Sequence, residues 1–172
     1  MSSDTSTEYY LKTLERMREG MAGWNARCAG VTLEVLEVQP AEGVWSIKQN
    51  TFHLADAFEA TTLRLRAMLT ESAPQLLRFD ADEWAADRDY QGRPWHIALA
   101  AINEQFGRLM SVVEAIPESA LTRTGRQHNI AVNILGLPSE LLTVLQLLEF
   151  EAAHIDEHTA SIDEILARFG GR

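Results

Sequence analysis

Two histidines one helical turn apart are the side chains of this sequence best suited to binding a metal ion. His154 and His158 lie in a segment with helical periodicity, where residues four apart have Cβ atoms roughly 6 Å from each other, so both imidazoles can converge on one ion. On a helical wheel both lie at one edge of the apolar stripe, together with Glu151 and Ser161. Half-buried, hydrogen-bonded histidines also occur at such edges, so the spacing alone leaves both interpretations open.

A third histidine, His53, lies at the edge of the apolar stripe of another predicted helix, beside Asn50 and Ala57. Three histidines on two helices can therefore face one interior site. Three neutral imidazoles leave coordination positions open for water or substrate, as catalytic zinc sites do. We expect Asn50 and Glu151 to orient the ligands or to handle protons, and a solvated or ion-paired carboxylate is the alternative for Glu151.

Such a site is compatible with more than one activity. Imidazole ligands suit zinc, nickel, iron and copper, so the ligand type does not select the metal. A bound ion can generate a hydrolytic nucleophile from water, or hold a thiol as the thiolate for transfer to an electrophile. A non-enzymatic metal-binding protein of a stress response is the third possibility, and its site would be closed by a fourth protein ligand.

Four segments carry the helical patterning that would position these residues. The helices are predicted at about 7–27, 46–71, 94–117 and 139–169. Capping-box spacings, Thr5 with Glu8 and Ser46 with Gln49, mark the first two helix starts. Pro94 suits the first turn of the third helix, where its missing N–H costs nothing.

The connectors between these helices indicate the fold. Residues 72–93 and 118–137 exceed the roughly 2–8 residues that join the helices of a simple up-and-down bundle. Either is long enough to run the length of a helix. Residues 31–38 read as a possible extended piece, and Trp84 and Tyr90 as anchors onto the core. We predict an all-α four-helix bundle with a crossover connection, and a single domain over residues 1–172.

Two short motifs resemble a known family. The segment WSIKQNTFHLADA, residues 45–57, resembles the start of the second helix in the DinB/YfiT-like family of metal-dependent enzymes, where a Trp-Ser pair precedes a His-Leu pair. The segment HIDEHTASI, residues 154–162, is similar to the H-x-x-x-H of that family's last helix. The resemblance extends over residues 9–169. It implies a four-helix bundle with a crossover between the second and third helices, and metal ligands at His53, His154 and His158.

The resemblance also carries expectations about activity. Members of that family include transferases and isomerases that use bacillithiol, mycothiol or glutathione, and many metal-dependent hydrolases. It implies one divalent ion, with zinc or nickel favoured, and transfer of a low-molecular-weight thiol to a small electrophile, with hydrolysis as the alternative. Ser161 stands where the family often has Gln, and this difference leaves the substrate class open.

Composition and charge narrow the partners and the location. The net charge of −10 disfavours nucleic acid, and we expect a small-molecule substrate instead. No apolar run approaches the roughly 20 residues that span a bilayer, so no membrane partner is expected. Cys28 is the only cysteine, which fits a reducing cytoplasm, and we expect it to be a small buried apolar residue.

The remaining expectations concern assembly and the other histidines. Phe52 and Leu63 point away from the apolar stripe of the second helix, and this second apolar patch predicts a homodimer. His96 and His128 fall outside the motifs and are expected to be surface or capping groups.

Overall fold

Four long helices form the bundle in this computed structural model, which describes residues 3–127 and 140–170. The long helices are α1 (Ser3–Cys28), α3 (Ile47–Thr70), α5 (Trp95–Val113) and α6 (Val144–Phe169). The connectors contribute the short helices α2 (Leu33–Glu37) and α4 (Ala81–Asp87), a 3₁₀ turn (Glu118–Ala120) and the strands β1 (Thr124–Arg126) and β2 (Leu141–Thr143). The predicted all-α four-helix bundle is confirmed. No helix within the described ranges is long and apolar enough to cross a membrane.

The crossover lies between α3 and α5, as predicted. Early residues of α3 pack against early residues of α5, with Phe52 and Ala98 in one apolar cluster, and the Phe58 and Phe106 rings lie 5.4 Å apart further along. The two helices therefore run parallel, so the chain must return along their full length between them. The returning segment runs in the direction opposite to α3, since the Arg64 side chain donates to Leu77 O while Tyr90, later in the segment, stacks on Phe52, earlier in α3.

Helix α6 runs antiparallel to α3 and parallel to α1. Helices α3 and α6 are antiparallel because Asn50, near the start of α3, contacts His158, whereas Thr61, later in α3, contacts Glu151, earlier in α6. Helices α1 and α6 are parallel because two ion pairs join them in the same order along both helices, Arg16 with Asp156 at 2.5 Å and Arg27 with Asp163 at 2.7 Å. The start of α3 and the second half of α6 consequently meet at one end of the bundle.

The core lies between the four long helices and explains their periodicity. Its largest fully buried side chains include Trp24, Phe58, Met17, Leu54 and Ile102. Cys28 is buried among them, as expected, and burial raises the pKa of its thiol to about 12. The thiol therefore stays protonated at neutral pH and is a poor nucleophile.

The structure differs from the predictions at residues 31–38 and at the start of the last helix. Residues 31–38 include a short helix, not an extended piece, because Val35 and Leu36 are adjacent and both buried, whereas a strand would point them to opposite sides. Leu141 falls within the predicted last helix, but it lies in β2, opposite Arg126, and is 45% exposed. The helix begins only at Val144, because Thr143 and Gln146 form its capping box.

Two other boundaries differ from the predictions. Helix α1 begins at Ser3, so Thr5 lies inside it and is not its first cap. Helix α5 ends at Val113, four residues before Pro117, which disfavours helical backbone at the residue before it. The Ser46–Gln49 capping box of α3 is confirmed, with both reciprocal hydrogen bonds present.

Phe52 does not form a surface patch. It is 1% exposed and stacks on Tyr90 of the crossover segment at 5.6 Å, so this ring is covered within the chain. The expectation that it contributes to a dimer surface is wrong, because the crossover segment occupies the space beside it. Leu63 is 45% exposed, as expected. Tyr90 is the core anchor predicted from the sequence, whereas Trp84 is only half-buried.

Candidate metal centre

Three imidazoles meet where the start of α3 faces the second half of α6. His53 Nε2 and His158 Nε2 each lie 3.0 Å from His154 Nε2, and the potential ligand atoms of the three residues all lie within 4.8 Å of one another. His53 and His154 are buried, and His158 is half-buried. The structure thus brings together the three histidines singled out from the sequence.

Asn50 fixes the tautomer of His158. The Asn50 amide nitrogen donates to Ser46 O at 2.8 Å, which leaves its Oδ1 directed at His158 Nδ1, 2.6 Å away. Because Oδ1 can only accept, His158 Nδ1 carries the proton, and in the neutral ring His158 Nε2 then has a free lone pair. That lone pair points towards the other two imidazoles.

Glu151 acts on His154 in the same way, over a longer contact. Its Oε1 lies 3.4 Å from His154 Nδ1, and Thr61 Oγ1 donates to its Oε2 at 2.5 Å. With the proton on Nδ1, His154 Nε2 also carries a free lone pair. Two unprotonated nitrogens, of His154 and His158, therefore face each other at 3.0 Å, an arrangement that repels unless a cation lies between or beside them.

The surroundings keep the His53 and His158 imidazoles neutral. Burial, followed by the neighbouring histidines, lowers the pKa of His53 to about 2, and burial with His154 lowers the pKa of His158 to about 3. Neutral imidazole is the form that binds metal. His53 Nδ1 is buried without a hydrogen-bond partner, so its ring is held by packing against Trp45, at 4.8 Å, and Phe79, at 5.5 Å.

The donor set fits a divalent ion with an open coordination position. Within the described part of the chain, the group of possible ligands contains the three histidines and no fourth side chain. It borders a cavity of about 370 Å³, within the size range of small-molecule sites, whose walls include Trp45, Phe79 and Phe150. A ligand set of three neutral nitrogens facing a cavity is the arrangement of catalytic rather than closed structural sites.

The other sequence candidates have definite positions. Asn50 and Glu151 are 3% and 0% exposed, and both contact the outer nitrogens of histidines. Ser161 is exposed and its hydroxyl donates to Glu157 O, so it does not reach the histidines. His96 is exposed in the first turn of α5, and His128 lies outside the described residues.

Sequence reasoning did not single out Arg64 or Phe79. Both line the cavity, and Arg64 is 4% exposed although it stands between Leu63 and Leu65 on α3. An arginine on a helix normally indicates an exposed position. Nothing in the sequence shows that the crossover segment covers this one. Thr61 gives no sequence signal for its role either, because its contact with Glu151 depends on how α3 and α6 pack.

The chain is similar in sequence to a known protein family. The sequence model of the DinB superfamily matches residues 13–162. A relative from Geobacillus thermodenitrificans is 30% identical, and the alignment covers 90% of this chain and 82% of the relative. A relative from Geobacillus kaustophilus is also 30% identical, with 83% of this chain and 75% of the relative covered. Both are named "Putative metal-dependent hydrolase".

A solved structure shares the architecture. YfiT from Bacillus subtilis, described as having an unusual four-helix bundle topology, aligns with a TM-score of 0.78 at 22% identity. The alignment covers 99% of this chain and 90% of that one. The parallel packing of α3 and α5 therefore belongs to a fold already observed in a solved structure.

Proposed function

Because the chain belongs to the DinB superfamily, we propose that it is a metal-dependent hydrolase in which His53, His154 and His158 bind one divalent ion, zinc or nickel. The observation that carries this proposal is the convergence of three imidazole nitrogens, with His53 Nε2 and His158 Nε2 each 3.0 Å from His154 Nε2. A cation bound among them would accept the lone pairs that the Asn50 and Glu151 contacts direct inwards. The names of the two Geobacillus relatives support hydrolysis as the reaction.

Asn50 and Glu151 are positioning residues in this proposal. Each accepts a hydrogen bond from the outer nitrogen of a histidine, which fixes the tautomer and the orientation of the ring. Glu151 is fully buried and also held by Thr61, so it is better placed to orient His154 than to exchange protons with a substrate.

A divalent ion at this site supplies a Lewis acid that makes water nucleophilic near neutral pH. The chain supplies the rest of the environment. Trp45, Phe79 and Phe150 enclose the imidazoles with apolar surface, which limits access to the open side of the cavity. The pKa of Cys28 is too high for that residue to serve as the nucleophile.

Thiol transfer is the second candidate, and a second cavity favours it. This cavity, of about 400 Å³, adjoins the first because Trp45 and Asp82 line both. A reaction with two substrates needs room for a thiol and for an electrophile. In the transfer, the thiol sulfur forms a bond to the electrophile, the leaving group departs with the bonding electrons, and the thiol proton passes to solvent.

A non-enzymatic metal-binding role remains the third candidate. It requires a site closed by a fourth protein ligand. Glu151 is a carboxylate in contact with one of the histidines, but its oxygens contact Thr61 and the outer nitrogen of His154, on the side away from the other histidines. The open cavity therefore favours catalysis.

The discriminating experiment is a panel of esters, amides and small electrophiles, assayed on metal-loaded protein with and without a low-molecular-weight thiol. We expect thiol-independent ester or amide cleavage that is lost in His158→Ala and retained in His96→Ala, since His96 is exposed on α5. Turnover only with a thiol would replace the hydrolase by a transferase. No turnover of either kind by a fully loaded protein would leave the non-enzymatic role.

Assembly and location are separate proposals. A homodimer now depends on Leu63, since Phe52 is buried within the chain. The net charge of −10 is the reason to propose a small-molecule substrate and no nucleic-acid partner. A cytoplasmic location stays a prediction, to be tested by cell fractionation.

A further inference from the structure

Arg64 is a buried cation that has no counter-ion in contact among the residues the structure describes. It lies on α3, is 4% exposed, and donates from Nε to Leu77 O at 3.0 Å. No hydrogen bond from its two terminal nitrogens to another described residue is present, and no carboxylate of the described residues lies within the 4.0 Å of an ion pair. Arginine is rarely buried unless it is paired, because removing its charge from water is costly.

The guanidinium borders the same cavity as the three histidines. The fully enclosed polar side-chain atoms without a partner, among the described residues, are Trp24 Nε1, His53 Nδ1 and Gln127 Oε1. Arg64 lines this cavity, and among the described residues only its Nε has a hydrogen-bond partner. Within that part of the chain, the four N–H groups on its terminal nitrogens are available to a ligand.

The carboxylates of the cavity do not neutralise Arg64. Glu151 raises the pKa of Arg64 through its charge, against the larger lowering caused by burial, but it is itself held by Thr61 and His154. Asp80 pairs with Arg78 at 3.0 Å and caps the start of α4. Asp82 and Glu157 are exposed at the rim, where solvent screens their charge.

We propose that Arg64 binds a carboxylate of the substrate while the reacting group lies at the three histidines. The planar fork of a guanidinium matches a carboxylate through two parallel hydrogen bonds. Arg64 is the only lysine or arginine that lines the cavity among the described residues, so the site suits a single negative charge rather than a dianion. This inference rests on the proposed function, because it places the reacting group at the metal centre.

The spacing along α3 sets the length of the substrate. Arg64 follows His53 by eleven residues, which is about 16 Å along a helix, and the long arginine side chain leans back towards the helix start, which shortens the gap. The carboxylate and the reacting group are therefore separated by several bonds. A cavity of about 370 Å³ holds a molecule of that size.

The test uses metal-binding probes of graded length. Each probe is a dicarboxylic acid of four to eight carbons in which one carboxyl group is converted to a metal-binding hydroxamate. The other end is either a free carboxylate or its methyl ester. Calorimetry on zinc-loaded protein compares the affinity of each acid with that of its ester. We expect the best acid to bind roughly tenfold or more tightly than its ester. Arg64→Gln should abolish that difference, and Arg66→Gln, an exposed change of equal charge on the same helix, should retain it.

Two further arms keep the result interpretable. Arg64→Lys keeps the charge but not the fork, so an intermediate preference is expected, and it replaces Arg64→Gln if that variant does not fold. The same acids and esters are compared by thermal unfolding of metal-free protein. Selective stabilisation by the acids without metal would uphold the Arg64 site even if the metal proposal failed. Equal affinity of zinc-loaded wild-type protein for acids and esters would overturn the Arg64 carboxylate site and leave the proposed metal centre intact.

Discussion

The hydrogen bond at the outer nitrogen of each imidazole decides what the inner nitrogen can do. Asn50 accepts from His158 and Glu151 accepts from His154, and both inner nitrogens are left with lone pairs pointing at each other. His53 has no such partner and relies on aromatic packing. His154 is the central ligand of the proposed site, since its Nε2 lies 3.0 Å from both of the others.

Removing the central imidazole should therefore remove the ion. We predict about one divalent ion per chain in the wild-type protein and loss of most of it in His154→Ala, measured by elemental analysis after gel filtration. His96→Ala is the matched control, because that histidine is exposed on α5. Unchanged metal content in His154→Ala would rule out the three-histidine site.

The partner of His158 is predicted to matter even though it does not touch the ion. Asn50→Ala removes the acceptor that holds the Nδ1–H tautomer, and we expect metal affinity to fall by roughly 10–100-fold. Asn50→Asp keeps an acceptor oxygen and should lose much less. Competition with a chromophoric chelator measures both, and equal affinity in wild type and Asn50→Ala would show that the contact does not orient the ring.

At the scale of elements, the start of α3 carries two groups of the site within its first two turns. The Ser46–Gln49 capping box fixes that start, and Asn50 and His53 follow one and two turns later. Thr143 and Gln146 cap α6 in the same way, but the histidines of α6 lie eleven or more residues further on. The two caps are chemically alike and differ in their distance from the site.

This difference gives a matched pair of variants. Ser46→Ala and Thr143→Ala should each lower the free energy of unfolding by about 1 kcal/mol, measured by denaturant titration. Only Ser46→Ala should also weaken metal binding, because fraying at the start of α3 displaces Asn50. Equal weakening by both variants would mean that global stability, and not the local start of α3, limits metal affinity.

At the scale of the whole molecule, the parallel pairing of α3 and α5 shapes the site. It requires a long return segment, and that segment supplies Phe79 to the wall of the cavity and Tyr90 to cover Phe52. Tyr90 also donates to Asp56 of α3, and Arg88 pairs with the same carboxylate at 2.5 Å. The crossover is thus both a connection and a layer of the candidate site.

The proposed homodimer is tested at this scale. Leu63 is 45% exposed on α3, and Leu63→Glu is expected to shift a dimer to the monomer mass of 19.3 kDa in sedimentation equilibrium. Leu11→Glu, at a leucine of α1 that is 57% exposed, is the control and should leave the dimer unchanged. A wild-type protein that sediments as a monomer at micromolar concentration would reject the homodimer.

The sequence by itself determined the helices and the three candidate histidines, because these depend on local signals and short motifs. Apolar periodicity predicted four helices, and the four-residue spacing of His154 and His158 placed both on one helix edge. Connector length left the crossover at residues 72–93 or 118–137, and the family resemblance placed it between the second and third helices. The Ser46–Gln49 spacing marked the start of α3 correctly because a capping box joins residues only three apart.

Only the tertiary structure decided which groups are covered, paired or left without a partner. Phe52 and Arg64 look like surface positions of α3 until the crossover segment packs over them, and Leu141 becomes a strand residue because β1 lies beside it. The contact of Asn50 with His158 and that of Thr61 with Glu151 join different helices, whereas Glu151 meets His154 within α6. The contacts between helices join residues far apart in the chain, and no local pattern specifies them.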